Sequence, residues 1–188
     1  MKLSPSEKLI LLMLSEIHEK LEIKNGVNPE LIKAAIISNQ TWGLDWEYSG
    51  LLAYEEASPP LVAETTDILD MWAFLEDSYA KFSDAEKATI KKDAEPFGED
   101  VQFWGFDGNH DPHYHITHFL IQDMKRFTRF KDHPLNSHSQ AALIGYRRMY
   151  SAFENIRPKL DGRLLTVAEI TQILNARAAN PERKLKAV

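Results

Sequence analysis

Apolar residues along this chain recur at three- and four-residue intervals, and most such runs are bracketed by helix punctuation. Leu9, Leu12, Met13, Ile17 and Leu21 follow the capping box Ser4-Pro5-Ser6-Glu7, with Pro5 at the first helical position. Asn25-Gly26 is a stop signal, and Asn28-Pro29 opens a second helix carrying Leu31, Ile32, Ala35 and Ile36. Gly43 ends that helix or bends the chain, and Trp46, Leu51 and Leu52 give a short apolar face over 44–57. Ser58-Pro59-Pro60 opens a long helix with Leu61, Ile68, Leu69, Trp72, Leu75 and Tyr79 on its apolar side. A second capping box, Ser83-Asp84-Ala85-Glu86, starts a separate helix that runs to about Glu95, where Pro96-Phe97-Gly98 breaks it.

A long irregular loop follows at about 96–111. Asp111-Pro112 then reads as a cap and first helical residue, with Ile116, Phe119, Leu120, Met124, Phe127 and Phe130 on one helix that His133-Pro134 stops. The next helix covers about Ser139 to Asn155, with Ala142, Leu143, Tyr146, Met149, Tyr150 and Phe153 inward. Asp161-Gly162 is a turn, and the third capping box, Thr166-Val167-Ala168-Glu169, opens a last helix with Ile170, Ile173 and Leu174. No alternating run with hairpin turns and no fixed repeat appears. The fold class is therefore all-α, a single-domain bundle of about seven helices with one long loop.

Composition narrows this picture. The length of 188 residues suits one domain with an ordinary core, and 44% hydrophobic residues argue against wholesale disorder. With no cysteine, disulfides, thiolate metal sites and cysteine nucleophiles are excluded. The apolar run Leu9 to Leu14 is too short to span a bilayer, and charges follow at Glu16, Glu19 and Lys20. A cytoplasmic protein without signal peptide or membrane anchor is the expectation. A net charge of −6 makes direct nucleic-acid binding unexpected, since neutralising phosphates needs a basic face.

Three stretches carry candidate chemistry. Six of the seven histidines lie between His110 and His138. On a helix starting near Pro112, His113 and His115 point about 200° apart, so they do not chelate together. His115 and His118 share a face, and with His110, Asp111 or Glu99 they form the alternative of a metal-dependent hydrolase. His110-Asp111 resembles the His-Asp pair of helical metal phosphohydrolases, but Pro112 marks a helix start there, and a solvated histidine-rich helix start is the preferred reading. The second stretch, Phe103-Trp104-Gly105-Phe106-Asp107-Gly108, reads as a lid or, preferably, as a plug with Phe103 and Phe106 buried and Gly105 permitting the turn. The third, Lys125-Arg126-Phe127-Thr128-Arg129-Phe130-Lys131 with Arg147 and Arg148, could receive a carboxylate or phosphate; cations at a helix C-terminus with core phenylalanines are the preferred reading. No glycine-rich phosphate loop, dinucleotide fingerprint or nucleophile elbow is present.

The order and spacing of several weak motifs add a family resemblance. Phe103-x-Gly105-Phe106-Asp107, Arg126-Phe127-Thr128-x-Phe130, Asn136-Ser137 and Tyr146-x-Arg148-Met149 are followed by Leu165-x-x-x-Glu169-Ile170-x-x-Ile173-Leu174-Asn175-Ala176. With Leu9-Ile10-Leu11 and Trp42-Gly43-Leu44, this resembles the YfbU family of uncharacterised bacterial helical domains over roughly residues 4–176. The resemblance implies a helical domain over 1–176 with a polar, basic tail at 177–188. Some relatives carry a helix-turn-helix domain, which implies a regulatory, ligand-binding role. No catalytic residues are carried across, and the histidines from His110 to His118 stand outside the pattern.

The expected function is a small-ligand-binding or regulatory module without catalysis, needing no cofactor or metal. A small anionic ligand would meet Trp104, Asp107, Arg126, Asn136, Tyr146 and Arg148. A homo-oligomer is expected. A protein-interaction scaffold using exposed aromatics such as Trp42 and Trp46 is a further alternative.

Overall fold

A computed structural model describes residues 2–24, 26–49, 59–138 and 142–178. Among them are eight α-helices and no strand, so the chain is all-α. The helices are α1 (Pro5–Lys20), α2 (Pro29–Ile37), α3 (Trp42–Glu47), α4 (Pro60–Lys81), α5 (Asp84–Asp93), α6 (His113–His118), α7 (Ala142–Glu154) and α8 (Val167–Ala176). All three capping boxes form: Ser4 with Glu7, Ser83 with Glu86, and Thr166 with Glu169 each exchange the two hydrogen bonds that satisfy free amides at a helix start. Asn28 caps α2 through the Glu30 and Leu31 amides, with Pro29 at the first helical position.

The helix ends differ from expectation at several points. α1 stops at Lys20, before the Asn25-Gly26 signal, and the chain turns at Glu22 with φ of 52°; Asn25 lies outside the described residues. α2 stops at Ile37, and Asn39 turns with φ of 58°. Gly43 neither ends that helix nor bends the chain but sits inside α3, where a Cβ would come within 2.5 Å of the Phe119 ring. Its role is close packing. The expectations at Leu51, Leu52, Ser58 and Ser139 fall outside the described residues, as does the tail beyond Ala178.

The helix expected from Pro112 to His133 is much shorter. α6 continues as one wide π-helical turn, Phe119–Asp123, and then breaks. Lys125 and Phe127 adopt left-handed backbone (φ of 55° and 51°), the Arg126 amide closes back onto the Leu120 carbonyl at 2.8 Å, and the Lys125 ammonium donates to the Gln122 carbonyl. These bonds satisfy carbonyls that a continuing helix would have used. A short 3₁₀ turn, Thr128–Phe130, follows.

The chain clusters into two compact units. The first comprises residues 1–63 and 115–131, and its core includes Leu31, Ala35, Ile36, Trp42, Leu44, Phe119, Leu120 and Phe130. Trp42 packs edge-on against Phe119 with ring centroids 5.6 Å apart. Trp42 is therefore a core residue at 8% exposure, not the exposed interface aromatic that the scaffold alternative assigned to it. The second unit comprises residues 64–114 and 132–188, and Trp72, Leu75, Phe103, Phe106, Tyr146, Met149, Phe153 and Ile173 are buried in its core. Burial of such large rings and aliphatics is the main stabilising contribution.

Candidate functional site

In the second unit the loop before α6 is a fixed structure. Phe103 and Phe106 are fully buried, as the plug reading predicts, while Trp104 is 40% exposed. Gly105 has φ of 79° and lies so close to residue 135 that a Cβ would stand 2.2 Å from the Leu135 carbonyl. That approach allows a parallel bridge: the Phe106 amide donates to the Leu135 carbonyl at 3.0 Å, and the Ser137 amide to the Phe106 carbonyl at 2.9 Å. Glu76 of α4 supports both segments beside the bridge, accepting from the Phe103 amide at 2.8 Å and meeting His133 Nε2 at 3.3 Å.

The polar residues of this motif serve the same turn. Asp107, 4% exposed, accepts from the Asn109 amide at 2.9 Å and pairs with His110 Nδ1 at 2.6 Å, while its own amide donates to Asp111. Asn136 accepts from the amides of Gly108 and His138 at 3.0 and 2.9 Å. Tyr146 is fully buried, edge-on to Trp72 and Phe106 at 5.4 and 5.7 Å. Burial pushes its phenol up to about 12, against weaker opposite pulls from the Arg177 guanidinium and the Trp104 amide. Its hydroxyl makes no hydrogen bond of normal geometry among the described residues, nor do Trp72 Nε1 and His113 Nδ1.

The histidines and cations separate. His113 is 1% exposed and His115 is exposed, in keeping with their opposed directions on a helix. The reading of a solvated helix start is thus corrected at His113, whose Nε2 lies 2.8 Å from Glu64 of α4. The same carboxylate receives Arg147 Nε at 2.6 Å and Nη2 at 2.9 Å, a two-pronged pairing that holds Glu64 at about 2, well below the usual carboxylate range. Among the described residues no three His, Asp or Glu side chains are grouped to hold a metal ion. His118 is exposed, as are His110 and Arg148. Arg126 belongs to the first unit, where it lies over Trp46 at 5.6 Å and meets Glu47 at 3.5 Å. The expectation of a cationic helix C-terminus is replaced there by the left-handed break.

Among the described residues, a run of exposed large apolar side chains lies in the first unit, along α1. Leu9, Ile10, Met13, Leu14, Ile17 and Leu21 are 52–66% exposed. Toward α2 the helix turns its half-buried Leu11 and Leu12, the buried Ser15, and Glu19, which is tied to Lys33 at 2.6 Å. The apolar periodicity of α1 therefore faces outward. Beside it runs an apolar groove of ≈ 310 Å³ lined by Leu11, Leu14, Ile17, Ile23, Val27 and Ile32, among others. The sequence does hold a signal for this face: α1 carries more large apolar residues than one buried stripe needs. The Glu64–His113–Arg147 cluster leaves no such signal, because its members are 49 and 83 residues apart.

The family model of the YfbU domain matches residues 1–176. The chain belongs to the YfbU family. No curated protein and no solved structure matches it. Of the YfbU-like motif residues, Gly105, Phe106 and Asn136 build the bridge, Asp107 holds the turn after it, and Tyr146, Met149, Ile170, Ile173 and Leu174 are core. No helix among the described residues is long and apolar enough to cross a membrane.

Proposed function

We propose that this YfbU-family protein is a regulatory module that works by binding a protein partner rather than by catalysis. The observation that carries this reading is the outward apolar face of α1, six large side chains each more than half exposed along one helix and its C-cap. A surface of this kind on a soluble domain is a hallmark of protein recognition. The adjoining ≈ 310 Å³ groove adds depth for a helical segment carrying its own apolar stripe. Binding of a small anionic ligand is the weaker reading, because Asp107 and Asn136 already accept backbone amides and Tyr146 is enclosed.

Site-specific photocrosslinking in the producing cell tests the proposal. A benzoylphenylalanine replacing Ile10 or Ile17 gives one discrete adduct, lost when Leu14→Asp is added. The same group at Ile144, 57% exposed in the second unit, gives none. The Leu14→Asp chain keeps its helical circular dichroism, because the Leu14 side chain is more than half exposed and contributes little to the fold of the single chain. Absence of a discrete adduct from both α1 positions overturns the reading.

A further inference from the structure

We infer that the partner on the α1 face is a second copy of this chain, with the two α1 helices packed antiparallel. The inference rests on the protein-binding reading above and names its occupant. Ile10, Leu14, Ile17 and Leu21 occupy the middle of the stripe, within an arc of about 60° at 100° per residue. Their spacing of four, three and four residues reads the same in either direction. A two-fold rotation that reverses the helix therefore returns the stripe onto itself. Ile10 then meets Leu21 of the second copy, and Leu14 meets Ile17. A surface that is its own complement is what a two-fold interface between identical chains requires.

The helix dipoles select the antiparallel direction. Side-chain charge is balanced at both ends of α1, with Glu7 beside Lys8 in the first turn and Glu19 beside Lys20 in the last. Reversal opposes the two helix dipoles; parallel packing would set like end on like. The stripe between these ends is uncharged, so its burial leaves no ion unpaired. Leu9 and Met13 widen the stripe along one side, and the groove borders the other. Each of the six side chains offers on the order of 100 Å², so two copies could cover up to about 1,200 Å², a range that reaches the ~1,000 Å² a specific interface needs.

The native chain has no cysteine, so single introduced cysteines report on the geometry. Full-length Ile10→Cys and Leu21→Cys chains are oxidised separately and as a mixture, beside sedimentation of the unmodified chain. The expected results are a concentration-dependent dimer, a disulfide-linked dimer in the mixture, and little in either variant alone. In the antiparallel pair, identical positions lie about 16 Å apart along the axis, too far to bridge. Rapid linkage of Ile10→Cys to itself overturns the antiparallel arrangement. A chain that sediments as a monomer at every attainable concentration overturns the second copy as occupant, as does a dimer undiminished by Leu14→Asp with Ile17→Asp. A monomer that still yields the α1-specific photoadduct with a different polypeptide leaves the protein-binding reading standing, whereas loss of both signals removes the two together.

Discussion

At the residue scale, the least conspicuous positions of the 96–138 stretch carry defined structural duties. Gly105 combines left-handed backbone with the near approach of the Leu135 carbonyl, and the parallel bridge depends on both. Gly162 shares the left-handed backbone (φ of 80°) but has nothing within 4 Å of a built Cβ. The two glycines separate strain from crowding. Gly162→Ala should cost about 1 kcal/mol from backbone strain alone. Gly105→Ala should cost at least about 2 kcal/mol more, because the bridge must open. Urea denaturation of both variants checks this, and equal losses would refute the crowding argument. Asp107 and Asn136 stand in the family-like motifs of the sequence and are read from there as candidates for a ligand. Their backbone partners, Asn109, Gly108 and His138, become apparent only once the loop is folded.

At the element scale, helix starts follow local chemistry and helix faces do not. A capping box needs only four consecutive residues, so its geometry is implicit in the sequence. In the third box the carboxylate also receives both Nη atoms of Arg163 at 2.7 Å, and this pairing, foremost, with the Thr166 bonds holds Glu169 at about 2. Thr166→Ala should lower stability by about 1 kcal/mol, with the helix otherwise intact. Thr166→Ser should recover most of that loss in the same denaturation series, and failure to recover would show that the hydroxyl is not the cause. The ends of α1 and α6 escape this local logic. Left-handed turns at Glu22, Lys125 and Phe127 occur at residues with no special preference for them. The outward turn of α1 is likewise hidden from periodicity, which gives the existence of a stripe but not the side on which α2 will pack.

At the scale of the whole molecule, electrostatics join segments that the sequence keeps far apart. Glu64 on α4 binds Arg147 on α7 and His113 at the start of α6. Because the folded state takes up the Glu64 proton less readily than the unfolded chain, this cluster stabilises fully above pH ~4.5. The stabilisation fades as pH falls toward about 2. With solvent screening the contribution is on the order of 1–2 kcal/mol. Denaturation of the wild type and Glu64→Gln at pH 7, 4.5 and 3 should show a stability gap that narrows with acid; a gap independent of pH would refute the assignment. The gap should not close completely, since the amide also replaces one acceptor of the buried His113.

By itself the sequence determined the helical class, three capped helix starts, the burial of Phe103 and Phe106, and, through motif order, the family. Each depends on neighbours within a few residues or on a pattern spread along the whole chain. Tertiary structure decided the rest. It placed His113 on Glu64, turned Gly105 and Asn136 into a bridge, ended α6 early, and buried Trp42. It also left the apolar stripe of α1 facing out. The physical reason is common to all of these: a side chain's partner, and the side from which it comes, is fixed by packing between segments distant along the chain, which local sequence does not specify.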